Sequence, residues 1–468
     1  MTLPLSCDKW IDAKTMTTYK RTVIKTKKAQ LVVTAEPKIT RDDIEKISKR
    51  AGDTEWYAEQ RMKAWRMYQK TPMPTIQEEA WRRTDIRALP WQQVPHPLLL
   101  PKTQRPKVGK VPAKLLRPLV GKNHGGQIVI NNGKVTDRSL DRELKREGII
   151  FTDLRTAIRN HQPLLKKYLG KAVKIQEGKF AAMAAALSDQ GIFVYVPKNI
   201  TVELPLHSVI WSDSPDNFSR LVVALDHGSS LTFVHEVASP TRKKQRLHVG
   251  TVEVYVGRKA SATFIELQSL GKNDWNFTHE RSKVQKDGKL DWIFSAIGSK
   301  LTKNFSEIDL VGDRAWGRMS GFYFADDIQH LDHDTQQNHM AEDTTSDLLF
   351  KGALRDNSRS VWQGMIYVAP GAQQTDGYQA NRNLVLSNSA RADAIPGLEI
   401  LADEVRCTHA ATVGQLEAEH IFYLMTRGLT YDDAKNLLVD GFFDPVMQRI
   451  PFDGVRTRLK KAIIDKMA

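Results

Sequence analysis

A chain of 468 residues has room for two or three domains, and a hydrophobic fraction of 41% with 8% aromatics suffices for packed cores, which excludes a disordered polymer. Two cysteines, Cys7 and Cys407, cannot make a disulfide framework and fit a reducing compartment; no run approaches the roughly 18 uncharged apolar residues of a membrane span, and no apolar signal core opens the chain. The formal charge of +15 raises nucleic acid as a partner, but the basic residues fall in short dispersed runs (20–28, 102–122, 242–244) without a nucleic-acid motif. The expectation is therefore a cytoplasmic chain with a solvated basic face, no membrane and no nucleic acid, and an acidic protein as the second choice of partner.

Residues 1 to about 35 are basic, threonine-rich and weakly patterned, and predict a mobile arm or a small edge hairpin. From Thr40 the pattern turns helical: Thr40 can cap, Asp42 and Asp43 suit the first turn, and Ile44 and Ile47 share a face. A second helix is predicted from Thr54 to Lys70, with Trp56, Tyr57, Met62, Trp65 and Met67 as apolar surface, ending at Pro72-Met73-Pro74. Frequent prolines between Leu89 and Val120 predict an irregular connector. Ile128-Val129-Ile130, Asn131-Asn132-Gly133 and Lys134-Val135 predict a hairpin, since Asn-Gly tolerates the positive φ of a tight turn. Helices are expected near 153–160, 163–169 and 180–187. These elements form a mostly helical N-terminal domain over 1–175.

After about Gly191 short strands rich in valine, isoleucine, phenylalanine and tryptophan recur, separated by polar turns at 227–230, 257–261, 286–289, 312–315, 356–359 and 387–390. Most of these turns are roughly thirty residues apart, the self-similarity of a solenoid, although a β-sandwich also gives many short strands. The longest gap holds His330, His333 and His339 among Asp326, Asp327, Asp332, Asp334, Glu342 and Asp343. That density could bind a divalent metal, and His330 and His333 could share a helical face; polar side chains projecting from a coil face or a loop are the simpler expectation.

The stretch from Leu386 to Gly414 carries the most chemistry. It opens with a polar turn, continues through alternating segments broken by Pro396 and Gly397, and then sets Cys407 and His409 two residues apart. On an extended segment the two share a face, a soft thiolate and an imidazole suited to iron, zinc or an iron–sulfur cluster. Two donors leave a site incomplete, so the rest must come from elsewhere in the fold or from another protein. The alternative is a small buried thiol and a hydrogen-bonded surface histidine. Beyond it, residues 412–468 read as a helical domain: 417–427 carries Ile421, Phe422, Leu424 and Met425, Gly428 ends that helix, and Thr430 caps the next.

No phosphate-binding GxxxxGK[ST] loop, dinucleotide GxGxxG or GxSxG nucleophile elbow is present, so no nucleotide binding or catalysis by this chain is expected. A carbohydrate-active β-helix enzyme with paired carboxylates among Asp326, Asp327, Asp332 and Asp334 is the runner-up among enzymes.

The runs NRNLVLS, AxAxPxLEI and DEVRCTHAATVG between Asn381 and Gly414, followed by Ile421 to Leu424 and Arg427-Gly428-Leu429, resemble the SufB/SufD family of iron–sulfur cluster assembly proteins, and SufD most. The likeness extends upstream through 368–376 and 180–207 and loosely to 78–87, while residues 39–74 look SufB-like. The resemblance implies a right-handed parallel β-helix over 176–411, mainly β overall, flanked by the N-terminal α/β, largely helical domain and the C-terminal helical domain. It implies a non-catalytic scaffold that pairs with a SufB-like subunit, or with itself through the β-helix, and works with the SufC ATPase in a SufBCD complex. The nascent cluster would be held by His409, with Cys407 beside it. SufC would dock on the helical tail around Glu417, Ile421, Phe422, Tyr423, Arg427 and Gly428. The cysteine that SufB offers across the interface falls at about Ala390, which cannot ligate iron and assigns this chain the SufD part, or that of a divergent SufB.

Overall fold

The computed structural model describes residues 39–89, 91, 96–120 and 123–467. The basic arm before Lys38, Cys7, and Pro90 and Pro95 of the connector lie outside the described residues. Helix α1 (Arg41–Ala51) starts where the sequence predicts: the Asp43 amide donates to the Thr40 hydroxyl and the Thr40 amide to the Asp43 carboxylate, a closed capping box. Helix α2 (Glu55–Lys70) ends at Thr71, just before Pro72. The connector is irregular apart from a 3-10 turn (Lys102–Gln104) and the one-turn helix α3 (Ala113–Leu116).

The predicted hairpin forms from β1 (Gly126–Asn131) and β2 (Lys134–Leu140), with Asn132 at φ 50° and Gly133 at φ 75° in the turn. A short helix α4 (Arg142–Arg146) and strand β3 (Ile150–Asp153) precede α5 (Leu154–Asn160), α6 (Gln162–Tyr168) and α7 (Lys179–Leu187). The last is alanine-rich and buried at every residue, because small side chains let α2 on one side and the sheet on the other approach closely.

From Gln190 the chain coils. Strands β4 (Gln190–Val196), β6 (Asp216–Leu225), β8 (Arg246–Val256), β10 (Asp274–Val284), β12 (Leu301–Leu310), β14 (His330–His339), β16 (Arg359–Val368) and β18 (Arg391–Ile400) build one parallel sheet. The alternate strands β5 (Leu206–Trp211), β7 (Ser230–Ala238), β9 (Ser261–Ser269), β11 (Lys289–Ala296), β13 (Trp316–Ala325), β15 (Thr345–Leu354), β17 (Thr375–Val385) and β19 (Val405–Gln415) build the other. The molecule is thus mainly β, a parallel β-helix of about eight coils with helices at both ends of the sequence. Parallel neighbours stack like positions: Phe233, Phe264, Trp292, Met319 and Leu348 stand one above another on the inward face, and the row ends at Gln379 and His409.

What fixes the coil rather than a sandwich is the corner. Lys259, Asp287, Arg314, Asp343 and Gln374 all lie at φ between 56° and 58°, and each donates its amide to a carbonyl of the next corner up, from Lys259 to Lys286 at 3.0 Å through Gln374 to Glu404 at 2.7 Å. These corners include three of the polar turns visible in the sequence, at 257–261, 286–289 and 312–315, while 356–359 and 387–390 lie on the opposite corner.

Four expectations are settled or change. The histidine segment lies on a coil face, as strand β14, and not on a helix, so His330 and His333 take opposite faces. Pro396 and Gly397 do not break the chain: β18 runs through them. The amides of Arg391 and Leu401 point to β16, so by alternation position 396 faces the free edge, where a missing N–H costs no ladder bond. Both sheets begin inside residues 1–175, because β1 joins β5 and β3 joins β4. The second sheet also continues past residue 412 to Gln415. Helices α8 (Ala418–Thr426), α9 (Tyr431–Met447) and α10 (Asp453–Met467) then fold back, and Phe443 packs on Phe322 and Phe324 of the outward sheet face. Among the described residues no helix is long and apolar enough to cross a membrane.

Candidate functional site

The last coil leaves the barrel of side chains open. Cys407 pairs in register with Gly377 and His409 with Gln379, both buried, so the two donors share the inward face as the spacing predicts. No further strand covers them among the described residues. His409 is exposed; the Cys407 thiol is half-buried against Ile366 and Val368, and that burial pushes its pKa up, with the Asp376 carboxylate adding to the rise and the Gly377 backbone opposing it.

Facing them, Ala392, Ala394, Pro396, Leu398 and Ile400 of β18 continue the inward rows of Ser360, Trp362, Gly364, Ile366 and Val368. Trp362 and Ile366 are fully buried one coil down, whereas Leu398 is 37% and Val413 50% exposed. The mouth is therefore a small apolar floor with a thiol and an imidazole at one side. Ala390 sits half-buried at the turn leading into it.

Beneath the floor the interior is unusually polar. Gln379 donates to the Gly397 carbonyl at 2.8 Å, and Asn381 to the Tyr323 hydroxyl at 3.2 Å. His333 points inward among Phe294, Tyr323 and Phe350, with ring centroids 5.2, 5.4 and 6.0 Å away; neither nitrogen has a protein partner, and burial drives its pKa down to about 3. His339 also points inward, its Nδ1 2.8 Å from the Thr344 hydroxyl and its Nε2 2.8 Å from that of Ser346, with its pKa lowered by burial to about 4. His330 lies on the outer face against the Thr84 hydroxyl at 2.9 Å. The three histidines therefore do not converge, and among the described residues no group of three or more His, Cys, Asp and Glu is arranged to hold a metal.

The carboxylates of the same segment have other duties. Lys303, fully buried, lies 3.0 Å from both Asp332 and Asp334 beneath Trp81 of the N-terminal segment, and Asp326 pairs with Lys272 and Lys466. Acids matched to lysines in this way are poor candidates for a glycosidase pair facing a cleft.

On the tail, Phe422 is 69% exposed and Tyr423 lies beside it, with the Arg427 guanidinium 5.2 Å over the Tyr423 ring. Met425, Tyr431 and Leu437 extend this apolar surface, Glu417 is exposed, and Gly428 turns the chain at φ 92°. Ile421 departs from the expectation: it is buried within the tail and offers no surface. The rim of Leu398, Ile400 and Val413 escaped the sequence reading, although the apolar residues at every second position from Ala392 to Ile400 carried the signal, blurred by Ile395 on the other face.

Two family models match the chain. The SufBD protein N-terminal region matches residues 43–207, and the SUF system FeS cluster assembly SufBD core domain matches residues 209–442. Among curated relatives, an iron-sulfur cluster assembly SufBD family protein of Staphylococcus haemolyticus is 28% identical over 434 residues, covering 90% of this chain and 91% of the relative. Proteins of the same description from Staphylococcus epidermidis and Staphylococcus aureus are each 27% identical over the same shares. With both halves matched and the β-helix in place, this chain belongs to the SufBD family of iron–sulfur cluster assembly proteins.

Proposed function

We propose that this chain is the SufD-like half of a scaffold on which iron and sulfide are joined. A SufB-like subunit seals its open mouth, and a SufC-like ATPase docks on its helical tail. The observation that carries the reading is the uncapped last coil, which holds Cys407 and His409 on its inward face beside an apolar floor. Two parallel edges of ten and eleven residues invite a second solenoid to continue both sheets. An exposed imidazole at such a seam is a nitrogen donor for iron, and the neighbouring thiolate is a sulfur donor. Alanine at 390 favours the SufD part, since the sulfur ligand expected there from SufB is missing. Phe422, Tyr423, Arg427 and Leu437 give the tail the exposed aromatic and arginine anchors that docking sites use. The scaffold itself carries out no catalysis in this reading; the ATPase does the hydrolysis.

The test is co-expression with the neighbouring SufB-like and SufC-like chains. The His409→Ala complex is expected to form normally but to lose most of its cluster, read as the visible absorption of the purified complex. Normal cluster content in that variant would overturn the role given to His409. Failure of the three chains to co-purify would overturn the scaffold reading.

A further inference from the structure

Gly377 opens a notch between a thiol and an imidazole that lie far apart in sequence. A Cβ built on Gly377 would stand 3.2 Å from the Cys407 Sγ, 3.2 Å from the Ile366 side chain and 3.4 Å from the His339 Nε2. Both donors thus border one small space at the corner of the last two coils, kept open because residue 377 has no side chain.

The hydroxyl neighbours of His339 suit a ligating ring. The Thr375 hydroxyl donates to the Ala372 carbonyl at 2.9 Å, so it can only accept from Thr344. When the Thr344 hydroxyl proton goes to the Ala341 carbonyl or to Thr375, Thr344 accepts from His339 Nδ1–H at 2.8 Å, and Nε2, the nitrogen that faces Gly377, carries the lone pair. A ring held by Nδ1–H with Nε2 left to donate a lone pair is the usual arrangement of a metal-ligating histidine. The Ser346 hydroxyl lies 2.8 Å from Nε2.

We propose that Cys407 Sγ and His339 Nε2 form a two-donor half-site for a thiophilic divalent cation, with Gly377 as the residue that keeps its place open. The inference deepens the scaffold reading and rests on it: it adds an interior nitrogen donor to the mouth, so that iron entering there has a protein nitrogen below the floor as well as His409 on the rim. Binding releases the thiol proton to solvent and displaces the Ser346 hydroxyl from Nε2, with no change of oxidation state. Thiolate with imidazole selects zinc, iron(II) or cobalt(II) over magnesium or calcium. Two donors hold a cation weakly, so the remaining positions belong to water, to sulfide or to the subunit across the mouth.

The experiment is a Co²⁺ titration of the full chain without partners, reading the thiolate-to-cobalt charge-transfer band. The wild-type chain is expected to show the band, Cys407→Ser to lose it, and His339→Gln to weaken Co²⁺ binding by at least about tenfold, the scale on which even supporting residues of metal sites act. Because His339 is buried and bonded to two hydroxyls, Gly377→Ala supplies a second arm: position 377 has ordinary strand backbone, and its methyl would stand between the donors, 3.2 Å from Cys407 Sγ and 3.4 Å from His339 Nε2, so that each must give by a few tenths of an ångström. It is expected to weaken binding similarly, with far-ultraviolet dichroism unchanged. No band in the wild-type chain, or a band indifferent to both His339→Gln and Gly377→Ala, overturns the half-site. The scaffold reading is judged separately, by the cluster content of His409→Ala complexes.

Discussion

The two ends of the solenoid are built from the same repeat and finished in opposite ways. At the N-terminal end the sheets close on short or polar antiparallel strands: β3 has only four residues and is backed by α5, and β2, with Lys134, Asp137 and Arg138, is charged and exposed. At the C-terminal end β18 and β19 stop side by side, among the described residues with no antiparallel partner, and with apolar residues turned toward the opening. Edges protected at one end and bare at the other among the described residues are what the proposed pairing requires. Stability and function are thereby separated along the axis: closed coils hold the fold, and the last coil is spared from that task.

The sharpest way to break this comparison is to compare deletions at the two places. Trp292→Ala, which empties a fully buried position in the central row, is expected to cost about 3–5 kcal/mol in urea unfolding of the isolated chain. A loss below about 1 kcal/mol would mean that the closed coils do not carry the fold.

A smaller effect should separate interior from mouth by pH. His333 has a folded pKa of about 3 against an unfolded value near 6.5, so its contribution is fully present above pH 6.5 and lost as pH falls through the folded value. His333→Phe fills the same aromatic box without a titrating group. It should match the wild-type chain at neutral pH and gain on it by about 1.4 kcal/mol per pH unit between roughly pH 6 and 4, as measured by denaturant midpoints. Parallel profiles would place the imidazole in contact with water or a counter-charge.

The smallest expected effect is at the rim. Leu398→Lys should change the stability of the isolated chain by no more than about 0.5 kcal/mol yet weaken the proposed pairing with a SufB-like subunit by about tenfold, read by analytical ultracentrifugation. Unchanged pairing would exclude the mouth as the seam.

Much of this architecture was legible because the corners put residues in left-handed backbone: Lys259, Asp287 and Arg314 recur at the coil period in turns that the sequence already punctuates, and Asp356 stands in a further such turn on the opposite corner. Strand β14 was hidden for a physical reason. Its inward positions, His333, Thr335, Gln337 and His339, are polar where alternation leads one to look for apolar residues, so the segment reads as a loop. Lys303 misleads in the same way: a lysine sealed between two aspartates under Trp81 looks like surface in the sequence. The shared face of Cys407 and His409 was readable from a spacing of two. The approach of His339 to Cys407 was not, because it depends on which coil lies under which and on the missing side chain of Gly377.

Pro396 has one more consequence. The amides of Ala392, Ala394, Leu398 and Ile400 alternate outward along the rim like the teeth of a comb, and at 396 a tooth is missing. An arbitrary sticky strand laid there would meet a gap in its bonding, whereas a partner shaped to step over that gap loses nothing. In the proposed pairing the proline would work as a mating key, discouraging fibrous stacking of stray chains while admitting the one neighbour cut to fit.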